Sequence, residues 1–216
     1  MAKSSVKQVQ GETPKVPEEI RIPKLNIARA KVRIRGITPL ITHNWSEKAR
    51  KEIRDKQQGN PRLKKAAKDP EAEFNGARYV VDGVDCFPAS ALKKAIMTAA
   101  QFADQYKTVM GMSLFVRGNR GGGMFVEIIG PAPVMREDMV RVGGISKTAD
   151  MRYRPEYSIW EAEFIVEYNQ NSISPGELLN LISIAGFSVG LCEWRPQKGG
   201  GDFGRFELAT DEEHSS

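Results

Sequence analysis

The chain has 216 residues, 40% hydrophobic and 27% charged, which fits an ordinary globular protein able to bury a sizeable core and excludes a disordered or fibrous chain. Its 32 basic and 27 acidic residues leave a formal charge of +5, a modest excess that points to a polyanionic partner. No apolar run suits a signal peptide or a membrane span, and Cys86 and Cys192 lack metal-ligand spacing, so the chain reads as cytoplasmic with two reduced thiols.

Residues 1–28 are polar and hold Pro14, Pro17 and Pro23, the pattern of a flexible arm. A domain spanning 29–208 follows, with insertions around 43–78 and 131–157 and a loose acidic tail at 209–216. In "VRIRGITPLIT" the apolar Val32 and Ile34 alternate with Arg33 and Arg35, which predicts a half-buried strand with one basic face. Ser46 is placed to cap a largely polar helix from Glu47, and this region is the basic focus of the chain, with Lys48, Arg50, Lys51 and Arg54 among its cations. "ARYVVDGVDCF" predicts a hairpin turning at Asp82-Gly83. The clearest helix is "PASALKKAIMTAAQFA", where Leu92, Ile96, Ala99 and Ala103 share a face. "SLFVRG" and "MFVEIIG" read as strands around a turn at Gly121–Gly123. Residues 134–157 read as a long, irregular, exposed excursion. "SIWEAEFIVEYN" returns to strand alternation, with Trp160, Ala162, Phe164 and Val166 on one side. Ser174, Pro175 and Glu177 then form a capping-box signature ahead of Leu178, Leu181, Ile182 and Ala185. A glycine-rich loop and a closing strand, "RFEL", complete the order. Two helices between strands can cover one face of a mostly antiparallel sheet, so the expected fold is α+β, ferredoxin-like (RRM-like), with insertions.

Three segments carry a family resemblance: "VRIRGITPLIT", "CFPASALKKAIMTAA" and "VGLCEWRPQKGGGDFGRFEL". They resemble, in order, the first strand, the helix entry and the carboxy-terminal glycine loop of the RAMP superfamily, and within it the backbone subunits of CRISPR effector complexes. The sequence departs from that pattern at Ala89, where the family often has glycine, and in the wide spacing of its last glycines. The "EWRP" ending also resembles small bacteriophage proteins. The resemblance implies a nucleic-acid surface across the sheet and its glycine loop, with a protruding hairpin over the bound strand that touches the next subunit. Arg141, Lys147, Arg152 and Arg154 would lie in that hairpin.

The residues support the same direction independently. Amides of a glycine loop can form an anion nest, and the missing side chains at Gly199, Gly200 and Gly201 would let a phosphate approach. Arg195, Lys198 and Arg205 would supply countercharge, and Trp194 a stacking face. Ser90, Lys93 and Lys94 open the clearest helix, where free N–H groups favour phosphate. Arg33, Arg35, Lys48 and Lys51 extend the basic surface. His43 is suited to acid–base work but has no evident partner in the sequence, and Asp55 and Asp69 sit in highly charged surroundings. There is no Walker motif, nucleophile elbow or zinc ligand set. The expectation is a non-catalytic binder of single-stranded RNA or DNA with no cofactor and no metal. It would assemble as a homo-oligomer along the strand, with other effector subunits in a CRISPR setting, or as a phage single-strand binding or annealing protein. A metal-independent endoribonuclease using His43 and a structural subunit with an acidic protein partner are the alternatives.

Overall fold

The structure is a computed structural model, and it describes residues 24–45, 47–59, 67–142, 148–198 and 200–209. In chain order its elements are β1 (Ile27–Gly36), β2 (Leu40–Ile41), α1 (Glu47–Gln57), α2 (Pro70–Ala77), β3 (Tyr79–Val81), β4 (Val84–Pro88), α3 (Ala89–Ala99), α4 (Lys107–Ser113), β5 (Leu114–Arg117), β6 (Phe125–Glu127), β7 (Val134–Val142), β8 (Thr148–Tyr157), β9 (Glu161–Asn169), α5 (Pro175–Ile184) and β10 (Phe206–Leu208).

Period-two alternation builds the central sheet. Val32 and Ile34 of β1, Ala162, Phe164 and Val166 of β9, and Leu114 and Val116 of β5 point to one face and are buried. The strand order is β10-β1-β9-β5, and every neighbouring pair is antiparallel. The expected apolar faces of α3 (Leu92, Ile96, Ala99) and α5 (Leu178, Leu181, Ile182) join these strand residues in one core. Trp160 closes the end of that core: its indole donates to the Thr38 carbonyl at 2.9 Å and meets Phe87 and Phe206 edge-on. Gly36 leaves the room, since a Cβ there would lie 2.1 Å from the indole nitrogen.

The predicted capping box starts α5: Ser174 Oγ accepts from the Glu177 amide, and Glu177 accepts from the Ser174 amide at 2.7 Å. The first amide of α3, at Ala89, donates to the Met124 carbonyl at 2.8 Å. The helix ends at Ala99 and tightens into a 3-10 turn, Ala100–Ala103, before the left-handed Asp104 (φ 53°). The predicted turn at Asp82-Gly83 has both residues at positive φ, 52° and 78°, as a two-residue hairpin turn requires.

Two further three-stranded sheets flank the centre, β2-β8-β7 and β3-β4-β6. The strands on either side of Gly121–Gly123 therefore exist, but the turn sends them to different sheets, β5 to β9 and β6 to β4. The expected irregular excursion is a regular antiparallel hairpin, β7–β8, paired from Val134↔Glu156 to Val142↔Thr148. Its alternation escaped the hydrophobic reading because one face is charged on both strands: Arg136, Asp138, Asp150, Arg152 and Arg154. No helix among the described residues is long and apolar enough to cross a membrane.

Candidate nucleic-acid interface

The glycine loop leaves the π-helical turn Ala185–Val189 at Gly190 (φ 71°) and folds back on itself. The Leu191 amide donates to the Gly204 carbonyl at 2.9 Å, and the Phe203 amide to the Trp194 carbonyl at 3.1 Å. Close approach explains two glycines directly. A Cβ at Gly201 would sit 1.7 Å from the Trp194 carbonyl oxygen, and one at Gly204 would sit 2.1 Å from that of Leu191. Gly200 differs, because it has φ 74° and open space around its Cα. The loop's amides are largely occupied: Lys198 donates to Arg195, Gly200 to Pro196, and Gly204 to Pro39. What comes close to this backbone is the loop itself. Gly199 lies outside the described residues.

Trp194 is held at φ 52° with 38% of its surface exposed. A bulky residue in the left-handed region is strained on the order of 1–3 kcal/mol. Cys192, two residues earlier, also has positive φ. The loop cations are pinned: Arg195 to Gln197 and the Cys192 carbonyl, Lys198 to Glu193 at 2.8 Å, and Arg205 to Asp202 at 2.9 Å and over the Phe187 ring.

The loop docks on the root of the hairpin. Arg136 of β7 lies over the Phe203 ring at 4.6 Å, and the Glu193 amide donates to Ile41 of β2. Ile41 pairs with Glu156 and the Thr42 amide donates to Pro155, so the chain runs on to put His43 beside Arg154. Burial, then Arg154, lower the His43 pKa, and Glu193 opposes them. Arg154 is itself buried, with one guanidinium nitrogen 3.3 Å from Asp138. Asp138 also accepts from Arg136 at 2.7 Å, and Arg152 pairs with Asp150 at 3.0 Å. Among the described residues, neither His43 Nδ1 nor Arg154 Nε has a hydrogen-bond partner. Trp194, Arg195, Lys198, Arg152 and Arg154 are thus gathered around one junction of loop and hairpin. Arg141 is exposed toward the hairpin end.

The other predicted cations lie elsewhere. Arg33 and Arg35 stand on the open face of the central sheet and both bind Glu161, at 2.5 and 3.1 Å. Arg29–Glu167 and Lys31–Glu163 continue this ladder between β1 and β9. At the entry to α3, Ser90 and Lys94 are exposed, and Lys93 lies over the Phe115 ring, 4.0 Å from its centre. Lys51 is exposed on α1, while the Lys48 side chain and Lys147 lie outside what the structure describes. Sequence reasoning missed Glu193, Arg136 and Asp138 at the junction, and the glutamates of β9. For β9 the signal was present: Glu161, Glu163 and Glu167 share the face opposite Phe164. For Glu193 no local signal existed, since only the fold brings it to His43.

No protein-family model matches the chain, and no curated protein matches it in sequence. Solved structures do match in fold. A chain of the type III-B Cmr-beta complex bound to cognate target RNA aligns at TM-score 0.50 and 11% identity, covering 85% of this chain. The present chain spans 59% of the length of that one. Cmr6 from Pyrococcus furiosus aligns at TM-score 0.41 and 10% identity, over 86% of this chain and 100% of its own. The resemblance to RAMP-type subunits of CRISPR effector complexes, read from three sequence segments, is thereby borne out as a likeness of fold.

Proposed function

We propose that this chain binds single-stranded RNA at the junction of the glycine loop and the β7–β8 hairpin, without cutting it, as one subunit of a larger assembly. The observation that carries this reading is Trp194: a strained, half-exposed tryptophan next to Arg195, with its carbonyl accepting from the amide of Phe203, the residue on which Arg136 of the hairpin stacks. Strain at a bulky residue persists where the surrounding structure imposes it, and it gathers at functional positions. An exposed indole beside an arginine suits a base with its phosphates. The order β10-β1-β9-β5, with α3 and α5 on one face, supports a ferredoxin-like sheet as the platform. The fold likeness to a chain from an RNA-bound complex points the same way. Burial pushes the Cys86 and Cys192 thiols up to about 11 and about 12, so neither is a ready nucleophile.

Fluorescence anisotropy with labelled RNA, single-stranded DNA of the same sequence and duplex tests the reading. Trp194→Ala is expected to weaken RNA binding on the order of tenfold, since one base–aromatic stack contributes about 1–3 kcal/mol. Tighter binding to duplex, or an unaffected Trp194→Ala protein, sinks it. Stronger binding to the DNA than to the RNA favours a single-strand DNA role instead.

The surroundings of His43 favour one second reading, an endoribonuclease. The fold gives the histidine the neighbours its sequence lacks, Arg154 and Glu193, and keeps its imidazole neutral more readily than usual. Discrete RNA fragments on a denaturing gel, abolished by His43→Ala with binding intact, would establish it.

A further inference from the structure

We infer that β5 and the N-terminal half of α3 form a second nucleotide site, on the open face of the central sheet, where an unpaired base stacks on Phe115 and its phosphates meet Lys93 and Arg117. This rests on the reading of the chain as a single-strand binder, and it places part of the strand away from the glycine loop.

The alternation of β5 fixes the geometry. Leu114 and Val116 enter the core, so Phe115 and Arg117 face outward, and Phe115 keeps 46% of its surface exposed. A phenylalanine left half-exposed beside a complete core does no packing that leucine would not do. It does offer a π-face. Lys93 reaches that ring from α3, its ammonium 4.0 Å from the ring centre. Burial, then the neighbouring Arg117, lower the Lys93 pKa. Beside Arg117 a shallow cleft of about 120 Å³ is lined by Lys31, Asn119, Glu163 and Ile165. Ile165 is also half-exposed, so an apolar floor lies between the cations.

The ladder of carboxylates does not cancel this corner. Glu163 is engaged by Lys31 at 2.8 Å, and Glu167 by Arg29 at 2.9 Å. Arg117 reaches the second oxygen of Glu167 only at 3.4 Å, with over half its side chain exposed. Lys93 makes no ion pair with any described residue. Arg117 on β5 is held by its carboxylate only at 3.4 Å, and Lys93 on α3 stacks on the aromatic ring beside it. An acidic protein segment would use the cations and have no need of the ring.

The test is photo-crosslinking of a thiouridine-bearing oligonucleotide to the full chain, with peptide mapping, alongside anisotropy titrations of Phe115→Leu, Phe115→Trp and Arg117→Gln. The expected result is a crosslink to the peptide holding Phe115. Phe115→Leu should weaken binding on the order of tenfold and Phe115→Trp should restore it. Arg117→Gln should flatten the salt slope by about one unit. Wild-type binding by Phe115→Leu with crosslinks confined to the glycine loop overturns this site and leaves the RNA reading standing. Loss of affinity in Arg117→Gln alone overturns the stacking site and marks a purely ionic contact. No binding of RNA or single-stranded DNA by the wild-type chain overturns both. Circular dichroism confirms folding, and the exposure of Phe115 and Arg117 makes all three changes compatible with the core.

Discussion

Gly200 and Gly201 are neighbours in sequence and answer different needs. At Gly201 a methyl group would overlap the Trp194 carbonyl, which is fixed by its bond from Phe203, so Gly201→Ala must reopen the loop. At Gly200 there is space, and only the positive φ resists a side chain. Gly200→Ala is therefore expected to cost about 1 kcal/mol, and Gly201→Ala clearly more. Thermal melts of the two variants check the order, and equal melting temperatures would refute the packing account. His43 supplies a second prediction at this scale. Burial beside Arg154 lowers its pKa from 6.5, so the unfolded chain binds its proton more tightly than the folded one. The stability it contributes is complete above pH 6.5 and falls as pH drops through the folded value. Glu193, held below 4.5 because the bonds from Lys198 outweigh its burial, loses its contribution only in more acid solution. Urea midpoints should thus decline as pH falls below 6.5 in wild type and less so in His43→Gln. A parallel decline in both would remove His43 as the cause.

Across elements, the basic face of β1 meets an acidic face of β9. Glu161 is the hub: burial works against its charge, yet the bonds from Arg33 and Arg35 hold its carboxyl below the ordinary range. Glu161→Gln should release the Arg33 guanidinium onto the open face. It is expected to lower stability by about 1 kcal/mol, as for a partly exposed hydrogen-bonded pair, and to tighten RNA binding with a steeper salt slope. Unchanged binding would show that the strand does not cross this face. The same pair of strands shows what the sequence reveals. Each alternation was legible, and so were the apolar stripes of α3 and α5, because burial writes them locally at periods of two and 3.6. The pairing of β1 with β9 was not legible, since 126 residues separate Arg35 from Glu161. The hairpin was hidden for a related reason: its inner face is stabilised by ion pairs rather than apolar burial, so hydrophobic periodicity does not mark it. The glycine loop was recognised as special, but which glycines meet backbone and which meet open space depends on how the loop closes.

At the scale of the whole molecule, charge is separated rather than spread. Residues 47–68 hold nine basic and three acidic residues, so this one segment exceeds the net +5 of the entire chain and the remainder is close to neutral. The central sheet shows why: its cations are matched by the glutamates of β9. Within the segment, Arg50, Lys51 and Arg54 are exposed on α1, where they add charge without supporting the core. Three exposed cations on one helix of a strongly basic segment suit electrostatic capture of a polyanion, while the aromatic positions fix what has been captured. The two roles separate kinetically. Replacing the exposed Arg50, Lys51 and Arg54 together by glutamine removes three of the five net positive charges and should leave the melting temperature within about 2 °C, as surface changes usually do. Association with RNA in stopped-flow fluorescence should slow on the order of tenfold at low salt, and that difference should shrink as salt screens the field. Dissociation should change far less, whereas Trp194→Ala should act mainly on dissociation. If the triple variant associates at the wild-type rate at low salt, the basic segment does not steer the strand, and its charge serves some other partner.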